Sequence, residues 1–379
     1  LTRFPPNSAG GTAKKCTMST LETYQPVLGR APAPDSGRID RSEIEWRNGL
    51  LVRATNWLGD TLMTVPAVYR MRRAVPSSCG VFVLCPEGLA PIWEAASWVN
   101  EVITFPGKRV NRGARERIRR LRPGVAVVLP NSFGSALDIW RAGVPRRLGR
   151  RGRGRSMLLT DRLPTWPRPV GRASEHQVRR YLELAGGVGD IDWGTACPRL
   201  EISDAAGVAA GSGMACDMGK PSLVVAPGAA YGPAKQWPAE RFAAVAQGWE
   251  GLVVVVGTDR EKGDAAYVAA DLKNVVNLAG KTSLRQLMAV LSCATCVIAN
   301  DSGVMHLAAA LGAHGVAIFG STDPIATGPV GGRWIVLQDS PDCAPCFARR
   351  CALAGEDSYK CLRAISVATA LEALEAVRA

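Results

Sequence analysis

Three short stretches of this 379-residue chain hold residue types that could do chemistry together. In TNWLGD (55–60), a single glycine, Gly59, precedes an acid, Asp60, where an apolar-periodic segment begins. A carboxylate at the mouth of a helix can cap it or act as a base, and the residues alone leave both open. A dinucleotide-binding turn would carry G-x-G-x-x-G here, and this one does not. In PGAAYGPAKQWP (227–238), small residues leave room for a phosphate, Lys235 supplies a point charge, and Pro238 lies in the first turn of the next helix. In NDSGVMHLAAALG (300–312), Asp301 and Ser302 stand at a helix N-cap, Gly303 permits close backbone approach, and His306 lies one turn in. Free N–H groups and the helix dipole make that an anion site fit for a pyrophosphate. Taken singly, each stretch also reads as ordinary capping, a solvated lysine or a surface histidine.

A fourth stretch, CAPCFARRCALAGEDSYKCL (343–362), spaces Cys343, Cys346, Cys351 and Cys361 as C-x2-C-x4-C-x9-C. Four thiolates so placed could bind Zn2+, and a reduced, packed or partly exposed loop is the plainer reading. Cys79, Cys85, Cys197, Cys216, Cys293 and Cys296 are scattered, several in apolar runs where Cys acts as a small hydrophobe. That usage fits a reducing compartment rather than a disulfide framework. The sequence has no G-x-x-x-x-G-K-[ST] P-loop, which argues against an ATPase. The Asp-x-Asp of DID (190–192) sits in a Gly-rich stretch and is read as coincidence.

Positioning these residues takes an alternating α/β chain. β-rich runs at 50–54, 81–85, 101–105 and 125–130 are separated by segments of helical spacing at 61–74, 88–98, 112–121 and 134–142. This is βαβ arithmetic and predicts a mostly parallel sheet. The rhythm lapses over 143–180, which is rich in Arg, Pro and Gly, and a helix is expected from about His176 to Ala185. A brief strand-like RLEIS (199–203) follows. A second alternation has β-rich runs at 222–227, 252–257, 275–280, 295–300 and 315–320, with helical segments at 238–248, 260–272, 283–292 and 303–312 and a closing helix at 367–378. The expected organisation is two Rossmann-like doubly wound domains facing a cleft, residues 48–200 and 221–379, with a linker at 201–220. Residues 1–47, rich in Pro, Gly, Ser and Thr and without an apolar signal core, are expected to be a disordered extension. In such sheets ligands sit beyond the C-terminal strand ends, where all three loops fall.

The net charge of +13 is unevenly spread. Residues 108–180 hold 20 Lys and Arg against 4 Asp and Glu, an excess of +16, so the rest of the chain is near −3. Nearly all these cations are Arg, whose planar fork suits phosphate and carboxylate. The block is almost free of aromatics until Trp166, which disfavours nucleic acid as the partner. An anionic membrane surface or an anionic acceptor fits better, beside the plain reading of a solvated loop. No apolar run reaches the 18 residues or so of a membrane span.

The motifs NWLGDTLMTVPA, NSFGSALDIWRAGVPRRLGRRGRGR, PGAAYGPAKQWPAERFAA, NDSGVMHLAAALG and IFGSTDPIATGP resemble, in order and spacing, the lipopolysaccharide heptosyltransferases of glycosyltransferase family 9, and among them the heptosyltransferase II type. The resemblance runs from about residue 50 to the C-terminus. It implies a GT-B architecture, an acceptor-binding first half and an ADP-heptose-binding second half. It also implies an inverting transfer to the lipopolysaccharide inner core, with a Kdo- or heptose-bearing lipid A acceptor, at the cytoplasmic face of the inner membrane. By motif, Asp60 matches the general base and Lys235 the lysine on the donor phosphates. Asp301, Ser302, Gly303 and His306 match the donor-binding helix start, with Ser302 where some relatives have Thr. Ala230 and Tyr231 fall in the donor loop, where heptosyltransferase I-like members carry hydroxyls. Glu261 and Thr282 fall where relatives touch ribose and nucleoside. On the acceptor side the resemblance implies Asn56 with Arg147, Arg150, Arg151 and Arg153. Relatives of the second type also carry cysteines near 343–361. No metal is obligatory for the chemistry, and Mg2+ is left only as an activator. The chain is expected to be a monomer, peripheral to the membrane. The alternatives are a family 9 transferase with another core acceptor or nucleotide-sugar donor and, behind it, a sugar-nucleotide epimerase of the same two-domain build.

Overall fold

The computed structural model describes residues 22–27, 44–107, 109–166, 173, 175–189, 199–212 and 221–378. In the first half the strands are β1 (Gly49–Arg53), β2 (Gly80–Pro86), β3 (Glu101–Phe105), β4 (Val125–Val128), β5 (Arg146–Arg150) and β6 (Asp161–Leu163). They pair in the order β3-β2-β1-β4-β5-β6, every pair parallel. The helices are α1 (Leu58–Ala74), α2 (Ala90–Glu94), α3 (Arg112–Leu121), α4 (Phe133–Ala142) and α5 (Val178–Gly186). Alternate residues of each strand serve opposite faces, so both faces must be apolar in a parallel sheet. Leu50 and Val52 pack in one cluster with Met71 of α1 and Tyr181 and Leu182 of α5. Leu51 between them packs with Ile118 of α3 and Ile139 of α4.

In the second half, α6 (Ala205–Gly211) leads into β7 (Ser222–Ala226), β8 (Leu252–Val255), β9 (Val275–Asn277), β10 (Cys296–Asn300), β11 (Gly315–Phe319) and β12 (Trp334–Gln338). Their order is β12-β11-β10-β7-β8-β9, again all parallel. α7 (Ala239–Gln247), α8 (Lys262–Ala269), α9 (Leu284–Ser292), α10 (Gly303–Ala310) and α11 (Pro324–Thr327) follow their strands, and α12 (Lys360–Arg363) and α13 (Val367–Arg378) close the chain. α13 lies with α7 and α8 over Leu223, Val225 and Ile298. The other sheet face, with Met288 of α9 and Leu307 of α10, joins the cluster that holds Leu50 and Met71. The two halves therefore share one continuous apolar body. In each sheet the strand order reverses at the centre, between β1 and β4 and between β7 and β10, and ligands of such sheets bind at that point.

Three strands lie outside the alternation read from the sequence. β5 and β6 fall in the stretch without rhythm, because RRLGR is too charged to look like a buried strand, and β12 follows the last apolar run noted. RLEIS contributes no strand: residues 199–202 are irregular and bridge the halves, Leu200 N–H donating to Ala310 O and Glu201 N–H to Ala95 O. Within the expected linker, α6 packs on α9 and buries Ala209.

The expectation for residues 1–47 also needs revision where they are described. Thr23 makes an antiparallel bridge to Ile335 on the edge of β12, and Tyr24 donates from its N–H to Trp334 O and from its hydroxyl to Pro324 O, each over 2.7 Å. Ile44 is buried under the first sheet. An aromatic with both polar ends satisfied is enough to seat a strand-like segment whose neighbours are Pro and Gly.

Candidate active site at the cleft

Asp60 does not cap α1. The N-cap is Trp57, in an extended conformation and without a side-chain capping bond, and the Asp60 carboxylate accepts instead from Gln177 Nε2 over 3.0 Å. Tyr181 Oη shares the same Gln177 amide at 3.4 Å. Burial raises the Asp60 pKa above the usual carboxylate value, and the Gln177 donation works against that rise. A partly buried carboxylate with a raised pKa and one tethered oxygen is suited to accept a proton.

Gln177 arrives from a segment held by the other half. His176 Nε2 lies 3.0 Å from Gly328 O, Gln177 N–H donates to Ala326 O over 2.9 Å, and Ala173 N–H donates to Asp323 Oδ2 over 2.8 Å. Burial pushes His176 down to about 4, so its ring is neutral.

Across the cleft, α10 begins where α1 begins. The His306 ring lies so close to Gly59 that a β-carbon there would stand 3.3 Å from His306 Cδ2. Burial, against the pull of Asp301 and with the push of Lys235, sets His306 at about 4, again a neutral ring. The alternative reading of His306 as a surface histidine therefore fails, because its ring is interior.

Lys235, on the short turn Pro233–Lys235 after β7, pairs with Asp301 Oδ2 at 2.5 Å, and Thr322 donates its hydroxyl to the same oxygen over 2.6 Å. Asn300, the last residue of β10, accepts from Trp237 N–H over 3.0 Å and donates to Pro227 O over 2.7 Å, fastening the lysine loop to the start of α10. Ser302 is the N-cap of α10, yet its hydroxyl makes no capping bond and is buried without a partner among the described residues. An orphaned hydroxyl, open helix N–H groups and a lysine at one point are what an anionic ligand would satisfy.

The remaining donor-side candidates lie on the loops that follow β7, β8 and β9. Glu261 closes a capping box with Thr258, one oxygen accepting from Thr258 N–H over 2.6 Å, while its other oxygen lies against Gly228. Thr282 immediately precedes Ser283, the N-cap of α9. Ala230 and Tyr231 lie in the lysine loop, and Lys235 Nζ is 5.1 Å from the Tyr231 ring centre.

On the acceptor side the five candidates separate. Asn56 Oδ1 accepts from the buried Arg53 over 2.9 Å. Arg150 is buried, ion-paired with Glu183, donating to Arg180 O over 2.9 Å and stacked 5.0 Å over Trp166. Arg147 donates to Leu158 O over 2.7 Å and to Val144 O over 2.6 Å. Arg155, in the same run, is 1% exposed. Arg151 and Arg153 are exposed. The peak of the basic block is thus partly an interior strand, and two of its arginines face solvent. Met157 in the turn that follows is exposed, as are Phe133, which lies against Gly154, and Trp140, seven residues further along α4.

The four cysteines are free thiols, Cys343 and Cys346 exposed and Cys361 buried. Burial, together with the other three thiols, raises the Cys361 pKa. Among the described residues, no group of three or more His, Cys, Asp or Glu is arranged to hold a metal ion. The DID stretch lies outside the described residues. The sequence missed Gln177, Asn300 and Thr322. Asn300 opens one quoted motif and Thr322 lies inside another, where neither had a role assigned, and nothing near Gln177 marks it.

The profile of glycosyltransferase family 9 (heptosyltransferase) matches residues 114–356. Lipopolysaccharide heptosyltransferase 2 of Escherichia coli K12 is 30% identical over 315 residues, covering 76% of this chain and 87% of that protein. Its counterpart from Salmonella typhimurium is 31% identical over 313 residues, with the same coverage. The solved E. coli ADP-heptose lipopolysaccharide heptosyltransferase II superposes with a TM-score of 0.69 at 28% identity, over 87% of this chain and 98% of that one. E. coli heptosyltransferase WaaC with ADP shares the fold, with a TM-score of 0.64 at 19% identity over 86% and 99% of the two chains. The GT-B architecture expected from the sequence is the one observed.

Proposed function

Because the chain belongs to glycosyltransferase family 9, the heptosyltransferase family, we propose that it transfers L-glycero-D-manno-heptose from ADP-heptose to the lipopolysaccharide inner core, as a heptosyltransferase of the second type. Membership in a transferase family sets aside the epimerase alternative. The observation that carries the reading is the apposition of two helix starts. The α10 start, with Lys235, Asp301 and the unpartnered Ser302 hydroxyl, stands against the α1 start, with Asp60, across the contact of His306 with Gly59.

The chemistry follows from that apposition. Asp60 takes the proton of the acceptor hydroxyl as its oxygen attacks the anomeric carbon. The bond from that carbon to the phosphate oxygen breaks on the opposite face, and ADP leaves with the bonding pair. The configuration inverts. Lys235, the Ser302 hydroxyl and the open N–H groups of α10 hold the charge that develops on the diphosphate, which needs no metal in principle. His306, neutral beside them, adds no charge to the site. Glu261 and Thr282, on loops after β8 and β9, are assigned by their motifs to the ribose and the nucleoside.

The acceptor is proposed to be a Kdo- or heptose-bearing lipid A at the inner-membrane leaflet, with the enzyme peripheral to it in the cytoplasm. Among the described residues no helix is long and apolar enough to cross a membrane. Exposed Met157, Arg151 and Arg153 in the run that meets Phe133 at Gly154, with exposed Trp140 further along α4, support docking on an anionic leaflet, where aromatic and cationic side chains both gain. The test is ADP release from ADP-heptose with and without Kdo- and heptose-terminated lipid A. Release that depends on the heptose-terminated acceptor is expected. Release indifferent to acceptor overturns the reading.

A further inference from the structure

The lysine loop is braced by a segment of the cysteine-bearing stretch that the proposed chemistry leaves unused. Tyr231 donates its hydroxyl to Phe347 O over 2.8 Å, and Ala234 N–H donates to Arg349 O over 3.2 Å. Gly232 sits at φ +147°, where a β-carbon would stand 2.6 Å from Arg349 O, so the two backbones meet with no room for a side chain. Phe347 N–H donates to Ser321 O over 2.8 Å, and Ser321 N–H to Ala234 O over 3.2 Å, which closes the three segments into one unit. The brace is entirely backbone on the Arg349 side. The Arg349 side chain is left exposed, with its guanidinium 5.2 Å from the same Tyr231 ring that Lys235 approaches to 5.1 Å.

Charge makes that placement informative. Lys235 is already paired with Asp301, so the positive charge it brings to a diphosphate is largely compensated. Among the described residues no carboxylate lies within ion-pair distance of Arg349. The Ser321 hydroxyl, 1% exposed at the same junction, is buried without a hydrogen-bond partner among the described residues. An uncompensated arginine and an orphaned hydroxyl on either side of the lysine loop are matched by a multiply charged oxyanion. We infer that Arg349 is a second cation of the donor site, contributing its forked guanidinium to the diphosphate of the nucleotide while its backbone carbonyl sets the lysine loop. This deepens the donor reading above and rests on it.

The test is ADP and adenosine binding to the full chain by calorimetry, for the native protein, Arg349→Ala and Arg349→Lys. Loss of one charge-assisted contact is expected to weaken ADP binding by about tenfold or more. Adenosine affinity and Tm should stay unchanged in Arg349→Ala, because the brace uses the backbone carbonyl. Lys, keeping the charge without the fork, should fall between. Equal ADP affinity in Arg349→Ala and native protein overturns the inference alone. Equal loss of adenosine and ADP also overturns it, since it marks a collapsed loop. A native chain that binds neither nucleotide overturns the donor reading, and this inference with it.

Discussion

Gln177 Nε2 donates to Asp60 Oδ1 over 3.0 Å, and the backbone N–H of the same Gln177 donates to Ala326 O in the other half. The amide that steadies the proposed base is thereby anchored to the half proposed to bind the donor. Burial lifts the Asp60 pKa and Gln177 lowers it. Gln177→Ala should let the pKa rise further, so the acidic limb of kcat/KM moves to higher pH with the donor KM unchanged. A pH profile that superposes on the native one would exclude this role for the amide.

Asp60→Asn should retain the fold and lose turnover by roughly 10²-fold or more. Stability carries a sign of its own. A carboxyl whose folded pKa lies above its unfolded value favours the protonated fold, a contribution present at low pH and lost as pH rises through the folded value. At neutral pH the native carboxylate is therefore a cost, and Asp60→Asn should melt no lower than native and somewhat higher. Thermal unfolding at pH 7.5 checks this, and a clear drop in Tm would instead assign Asp60 a structural task.

Lys235 and Asp301 invite a double substitution. Asp301 is 3% exposed in its side chain, so Lys235→Ala strands a buried carboxylate with only Thr322 to answer it. That should cost about 3 kcal/mol. Asp301→Asn in the same chain should recover most of the stability and none of the turnover. Denaturant unfolding with steady-state kinetics separates the two effects. Recovery of turnover along with stability would show that the lysine serves the fold alone.

The arginines should divide in the same way. Arg150→Ala removes a stacked, ion-paired side chain from the interior and leaves Glu183 to Arg179 alone, so a loss of about 3 kcal/mol is expected. Arg151→Glu with Arg153→Glu should stay within about 0.5 kcal/mol of native. The pair should weaken binding to vesicles containing phosphatidylglycerol, and Phe133→Ser with Trp140→Ser should do so in high salt, where the charge contribution is screened. Sedimentation with such vesicles measures both, and undiminished binding in all four substitutions removes this face from the leaflet.

How far the sequence could be read depends on how local each interaction is. The lysine loop and the start of α10 were legible because phosphate chemistry draws on small residues, caps and a lysine within a dozen positions. Gln177 was not, since its contact with Asp60 spans 117 positions and depends on how α5 crosses α1. The basic block misled for the same reason. Whether Arg150 faces water or interior is decided by Glu183 and Trp166, which no pattern within RRLGR announces. Tyr24, in a stretch with disorder-prone composition, is placed by Trp334 and Pro324 some 300 positions on.

The meeting of Gly59 with His306 also sets a mechanical tolerance. A methyl group on residue 59 would stand 3.3 Å from His306 Cδ2, so the two helix starts would part there by a few tenths of an ångström, between the proposed base and the proposed donor site. The spacing of the two helix starts then depends, at this contact, on the smallest side chain rather than on any charged one. A variant held ajar by Gly59→Ala could keep each half-site intact and still fail to bring them within bonding reach.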